Sequence, residues 1–107
     1  MLAQFKSEHW NDAQGRPAGG MTCGTGFSIS WQNGPLGRGD ERREPNGAFV
    51  ETIIAAAKDR IEYYQNSQFN CKENAEAVFH LGEALRWLNE RTLRRETKGV
   101  EGTHAGN

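Results

Sequence analysis

The chain is poor in most of the features by which small proteins declare themselves. No apolar run approaches the roughly 18 residues of a membrane span, and the N-terminus has no apolar h-region with a small-residue cleavage site, so a soluble, intracellular protein without a membrane partner is expected. Only two of the 107 residues are cysteine. Cys23 and Cys71 have no CxxC spacing, which favours free thiols in a reducing compartment over a disulfide framework. His9, His80 and His104 lack metal-ligand spacing, and HExxH is absent, so no metal site is expected. Despite 13 glycines, neither GxxxxGK[ST] nor GxGxxG occurs, which removes support for P-loop hydrolysis. Thirteen basic and 14 acidic side chains leave a net charge of −1, too little for a broad nucleic-acid footprint. Any cationic site must be local. The triplet Arg38-Gly39-Asp40 is treated as a chance match.

What is present predicts a single α+β domain over 1–107, with a Gly-rich β segment and loop at 1–44, a helical hairpin at 45–95 and a tail at 96–107. Gly26 to Gln32 alternates apolar and polar residues, placing Phe27, Ile29 and Trp31 on one face of a strand that ends at Asn33-Gly34-Pro35. A weaker strand over Ala3 to Trp10, with Asp12 to Gly20 between the two, predicts a small antiparallel β-hairpin. Such a hairpin is marginal alone and is expected to pack on the helices.

Helix one is expected to begin near Pro45, a residue suited to a first helical turn. Val50, Ile53, Ile54, Ala57, Ile61 and Tyr64 recur at three- and four-residue spacings and define its apolar stripe. Asn70 followed by Glu73 has capping-box spacing, and helix two then runs to about Arg95 with Ala75, Val78, Leu81, Leu85 and Leu88 as its stripe. Phe79 and Trp87 fall on flanks that one partner helix does not cover. Gly82 costs about 1 kcal/mol in a helix interior, which is easier to explain if another backbone approaches there. With 36% hydrophobic residues and the small burial typical of short chains, the hairpin implies self-assembly.

Arg86, Arg91, Arg94, Arg95 and Lys98 gather near the end of helix two. Cations there complement the helix dipole, but guanidinium groups also bind phosphate bidentately. Gly99 to His104 offers backbone N–H groups, the Thr103 hydroxyl and the His104 imidazole to a polar ligand, or else is a disordered tail. Phe69, beside Asn70 and Asn74 at the hairpin tip, either caps the two-helix core or stacks on a base. No nucleophile with an adjacent base and orienting group is found, so a binding protein without cofactor is favoured over an enzyme.

Several separated segments carry a resemblance: Gly26-Phe27-Ser28-Ile29-Ser30-Trp31-Gln32-Asn33-Gly34-Pro35-Leu36, Pro45-Asn46-Gly47-Ala48-Phe49-Val50-Glu51, Phe69-Asn70-Cys71-Lys72-Glu73-Asn74-Ala75, Trp87-Leu88-Asn89-Glu90-Arg91 and the Gly99 to His104 tail. Over about residues 19 to 104 the chain resembles the phage Thoeris anti-defence proteins of the first type, which share a helical-hairpin domain with the phage anti-CBASS sponges of the second type. Residues 1–18 carry no matching motif. The resemblance implies a non-enzymatic sponge in the cytoplasm of an infected bacterium, assembled as a dimer or hexamer and sequestering cyclic ADP-ribose isomers and, in some members, cyclic oligonucleotides. It also gives the residues above a common purpose. Arg43, just before helix one, and Arg95 would share one end of the hairpin while Phe69 occupies the other, so an antiparallel copy would bring its Phe69 toward the arginines. The candidate ligand-binding residues are Arg43, Phe69, Asn74, Arg91, Arg95, Thr103 and His104. Two rival functions are a nucleic-acid-binding regulator using the Arg-rich end of helix two, and an enzyme that degrades the same nucleotides.

Overall fold

A computed structural model describes residues 4–107, so Ala3 of the expected first strand lies outside the described residues. The chain forms two compact units, one reaching to Phe49 and taking in Glu101–Asn107, the other Val50–Val100.

The first unit is a three-stranded antiparallel sheet in the order β1 (Phe5–Asn11), β2 (Pro17–Gly24), β3 (Phe27–Trp31). The expected strand at Gly26–Gln32 is β3 and the weaker one is β1, but the two-stranded hairpin is corrected to three strands. The stretch assigned to a connector contains the start of the central strand. Glycines conceal it: a Cβ at Gly20 would collide with the Glu8 carbonyl, and one at Gly24 would come within 2.6 Å of the Phe27 ring. Close approach of neighbours thus replaces the alternating side chains that mark a strand in sequence. The β1–β2 connection is fastened by Asp12, whose Oδ1 accepts from Gln14 N at 2.9 Å and Arg16 N at 3.0 Å while Oδ2 takes Arg16 Nε at 2.9 Å. The Arg16 backbone bond, ahead of the other contributions, holds the Asp12 carboxyl below its ordinary pKa.

Pro45 does not open a helix. The Gln32 carboxamide oxygen accepts from Asn46 N at 2.9 Å and Gly47 N at 3.2 Å, and Ala48 forms a parallel bridge to Trp31. Those N–H groups are committed to the β3 side, so the chain stays extended until Val50. Nor is the tail loose up to Gly102, whose carbonyl accepts from Gly37 N at 2.8 Å. Beside it Arg42 pairs with Glu101 at 2.8 Å.

The second unit is a helical hairpin of α1 (Val50–Gln65) and α2 (Lys72–Thr97). The N-cap of α2 is Cys71, not Asn70: Cys71 is extended and its Sγ accepts from Asn74 N at 3.4 Å. Asn70 is used otherwise, its Nδ2 donating to Ser67 O at 3.0 Å to close the interhelical turn. At the other end α2 passes Arg95 by two residues, and Gly99, with φ +73°, donates to Glu96 O at 3.0 Å in the left-handed conformation that terminates helices.

No apolar side chain among the described residues is fully buried. Ile53, Ile54 and Ile61 are half-buried, yet Val50, Ala57 and Tyr64 from the same stripe are exposed. Phe79 and Trp87 stay 60% and 64% exposed, in keeping with flanks a single partner helix leaves bare. Gly82 is not crowded by backbone, since a Cβ there would meet only Lys58 Cε at 3.6 Å. Among the described residues no helix is long and apolar enough to cross a membrane.

Candidate functional site

The hairpin tip brings two of the expected residues together. Tyr64 O accepts from the Ser67 hydroxyl at 2.6 Å, and that hydroxyl accepts from Phe69 N at 3.1 Å, fixing the turn from both sides. Asn74 Nδ2 reaches back to Phe69 O at 3.4 Å. The Phe69 ring itself is 65% exposed, so it does not cap the two-helix core. A planar apolar face held on a rigid turn, with a carboxamide beside it, suits stacking and edge recognition of a heterocycle.

The arginines lie far from this tip. Helix α2 has 26 residues against 16 in α1, and with Lys58 beside Gly82 most of the excess lies at the C-terminal end, an overhang of about 10 Å at 1.5 Å per residue. Arg91, Arg94 and Arg95 stand on it, about 28–35 Å along α2 from Lys72, the first helical residue after the tip. Arg91 and Arg94 are exposed. Arg95, by contrast, is 6% exposed and donates through a terminal nitrogen to Val100 O at 3.1 Å, while Val100 N returns a bond to Arg95 O at 3.0 Å. Arg86 leaves the expected cluster: Glu83 binds it at 3.0 Å and raises its pKa, and the guanidinium lies 4.6 Å from the Trp87 ring centre.

Arg43, Thr103 and His104 belong to the first unit. Glu44 to Phe49 lie in sequence between Arg43 and the start of α1 at Val50, so Arg43 does not directly precede that helix. Its side chain donates to Pro35 O at 3.2 Å and its N–H to Leu36 O at 2.7 Å. Gly37, the next residue, holds Gly102, so the loop at Leu36 and Gly37 anchors Arg43 on one side and the approach to Thr103 on the other. Thr103 Oγ1 accepts from Ala105 N at 3.2 Å, and His104 is exposed. Sequence reasoning missed the clamp in which Arg38 donates to Glu101 O at 3.0 Å beside the Arg42 pair. Nothing local signals partners about 60 residues apart. Among the described residues no group of His, Cys, Asp and Glu is placed to hold a metal.

Residues 27–93 match the protein family described as Acb2/Tad1, hairpin domain. That span takes in Arg43, Phe69, Asn74 and Arg91 and stops short of Arg95, Thr103 and His104. The chain is also similar to Thoeris anti-defense 1 of Bacillus phage SBSphiJ7, with 48% identity over 77 residues, 72% of this chain and 51% of that protein. It therefore spans about half the length of the curated relative it matches.

Proposed function

Because the chain belongs to the Acb2/Tad1 hairpin family, we propose that it is a phage anti-defence protein that binds nucleotide immune signals and withholds them from the host effector without cleaving them. The observation that carries this reading is the fixed but open Phe69 ring with Asn74 beside it. A stacking partner of this kind contributes about 1–3 kcal/mol per base. The ligands in view are cyclic ADP-ribose isomers and cyclic oligonucleotides, which join adenine rings to phosphates.

Assembly supplies the second half of the site. The exposed parts of the α1 and α2 stripes favour packing against a second copy in a dimer or hexamer. An antiparallel copy would set the Phe69 tip of one hairpin against the Arg91–Arg95 overhang of another, where guanidinium groups neutralise phosphate. Arg95, buried and bonded to Val100, acts there as a fixed charge. Arg43, Thr103 and His104, all of the first unit, are separately proposed as ligand residues. To prevail by mass action the protein must bind more tightly than the effector, with a nanomolar constant of about −12 kcal/mol.

The test is recovery of the ligand. Protein loaded with a cyclic ADP-ribose isomer or a cyclic dinucleotide is washed, heat-denatured and its supernatant read by mass spectrometry. Release of the intact nucleotide is expected, and a cleaved product refutes sequestration. Native mass spectrometry of the loaded sample reads the subunit number.

A further inference from the structure

The cations of the hairpin are not alike. Lys58 pairs with Glu62 at 2.7 Å and Arg86 with Glu83 at 3.0 Å, whereas Arg60 has no ion pair among the described residues. Helix geometry gives the reason: the positions three and four residues from Arg60 are Ala56, Ala57, Tyr63 and Tyr64, and none is acidic. The guanidinium carbon lies instead 5.0 Å from the Tyr63 ring centre and 4.9 Å from that of Tyr64, and Nε donates to the Tyr64 hydroxyl at 3.2 Å. The rings brace each other edge to face, with centres 5.9 Å apart.

Such a cation has already lost much of its rotamer freedom, and its terminal nitrogens meet no acceptor among the described residues. Preorganised planar donors of this kind suit phosphate. Ala56 and Ala57 leave the space beside it open, and Tyr63, 62% exposed, offers a further face to a planar group. The cluster also belongs to the tip, since Tyr64 O is the acceptor of the Ser67 hydroxyl that holds Phe69 N. Resting on the nucleotide reading above, we infer that Arg60, Tyr63 and Tyr64 form a phosphate-binding cluster that serves the ligand stacked at Phe69 from the same chain. The tip then recognises base and phosphate together, before any second copy contributes.

The test is calorimetric titration of the full chain with cyclic di-AMP and with cyclic ADP-ribose, using wild type, Arg60→Ala, Arg60→Lys and Arg16→Ala. The last removes an equal charge from the Asp12 pair. Arg60→Ala is expected to weaken binding about tenfold or more, the size of one charge-assisted contact, with Arg60→Lys between and Arg16→Ala unchanged. Circular dichroism checks that each variant is folded, and Arg60→Lys keeps the test open if Arg60→Ala is not. Unchanged affinity of Arg60→Ala alongside wild-type binding overturns this cluster alone. A wild type that binds neither probe overturns the nucleotide reading as well. Loss of oligomer size in Arg60→Ala also overturns the cluster, by showing that Arg60 serves a contact between copies.

Discussion

Replacing Arg95 with alanine separates structure from ligand binding at the end of α2. Arg95 is the one charged side chain among the described residues that is buried, at 6% exposure, and it donates to Val100 O while Val100 N bonds back to Arg95 O. Alanine leaves the backbone half of that exchange and removes the charged half, stranding a carbonyl next to the helix terminus. A hydrogen bond from a charged group contributes about 1.5–3 kcal/mol, and the buried aliphatic stem adds packing. A loss of about 2 kcal/mol lowers the melting temperature by roughly 8 °C for a domain of this size. Thermal circular dichroism at fixed protein concentration measures it, and amide exchange at Gly99 and Val100 localises it. A melting temperature within about 2 °C of wild type, on the same scale, would refute the assignment of Arg95 as the latch of the helix end. Ligand affinity of this variant must therefore be taken well below its melting temperature, where any weakening reports on the charge itself.

Gly82→Ala is expected to raise the melting temperature, since alanine is favoured by about 1 kcal/mol in a helix interior and its Cβ would meet only Lys58 Cε at 3.6 Å; a fall, with faster sedimentation-detected dissociation, would show that the backbone of a second copy lies there. Cys71→Ser replaces a weak sulfur acceptor at the N-cap of α2 with a preferred one, and urea unfolding should show a gain of up to about 1 kcal/mol. No gain would mean that the Cys71 contact to Asn74 N is not a working cap. The Asp12 carboxyl is held below its ordinary value by bonds from Arg16 and Gln14. Its stabilisation is therefore present above the unfolded pKa and disappears as pH falls through the lower folded one. In an acid titration followed by NMR, the Gln14 and Arg16 amides should shift with a midpoint below 3.8, and the response should vanish in Asp12→Asn. A midpoint at or above that value counts against the turn geometry.

The hairpin was legible because its apolar residues recur at three and four, and β3 because its side chains alternate. The central strand was not, since Gly19, Gly20 and Gly24 carry no side chains to alternate; only the Glu8 carbonyl and the Phe27 ring above them explain the glycines. Local rules misplaced both helix starts for one reason. Pro45 and Asn70 each fit a helix N-terminus, but Gln32 captured the amides after Pro45 and Ser67 captured the Asn70 side chain. Of the candidate site, the place of Phe69 at the turn between the helices was legible, but its exposure was not, since a ring there fits capping of the two-helix core as well as stacking. Nor was the burial of Arg95, because composition makes it one of four similar arginines and only the return of the chain at Val100 distinguishes it.

The Arg42–Glu101 pair and the Gly37–Gly102 bond join segments that flank the whole hairpin in sequence, so the hairpin is topologically an insertion. The sheet unit cannot be completed until α2 has been synthesised. Its clasp closes a chain loop whose entropic cost rises only logarithmically, by about 0.6 kcal/mol for each doubling of length. Lengthening or trimming the helices by whole turns thus burdens the clasp very little. The span between tip and overhang is free to be set by what the hairpin must reach, and not by the unit that anchors it.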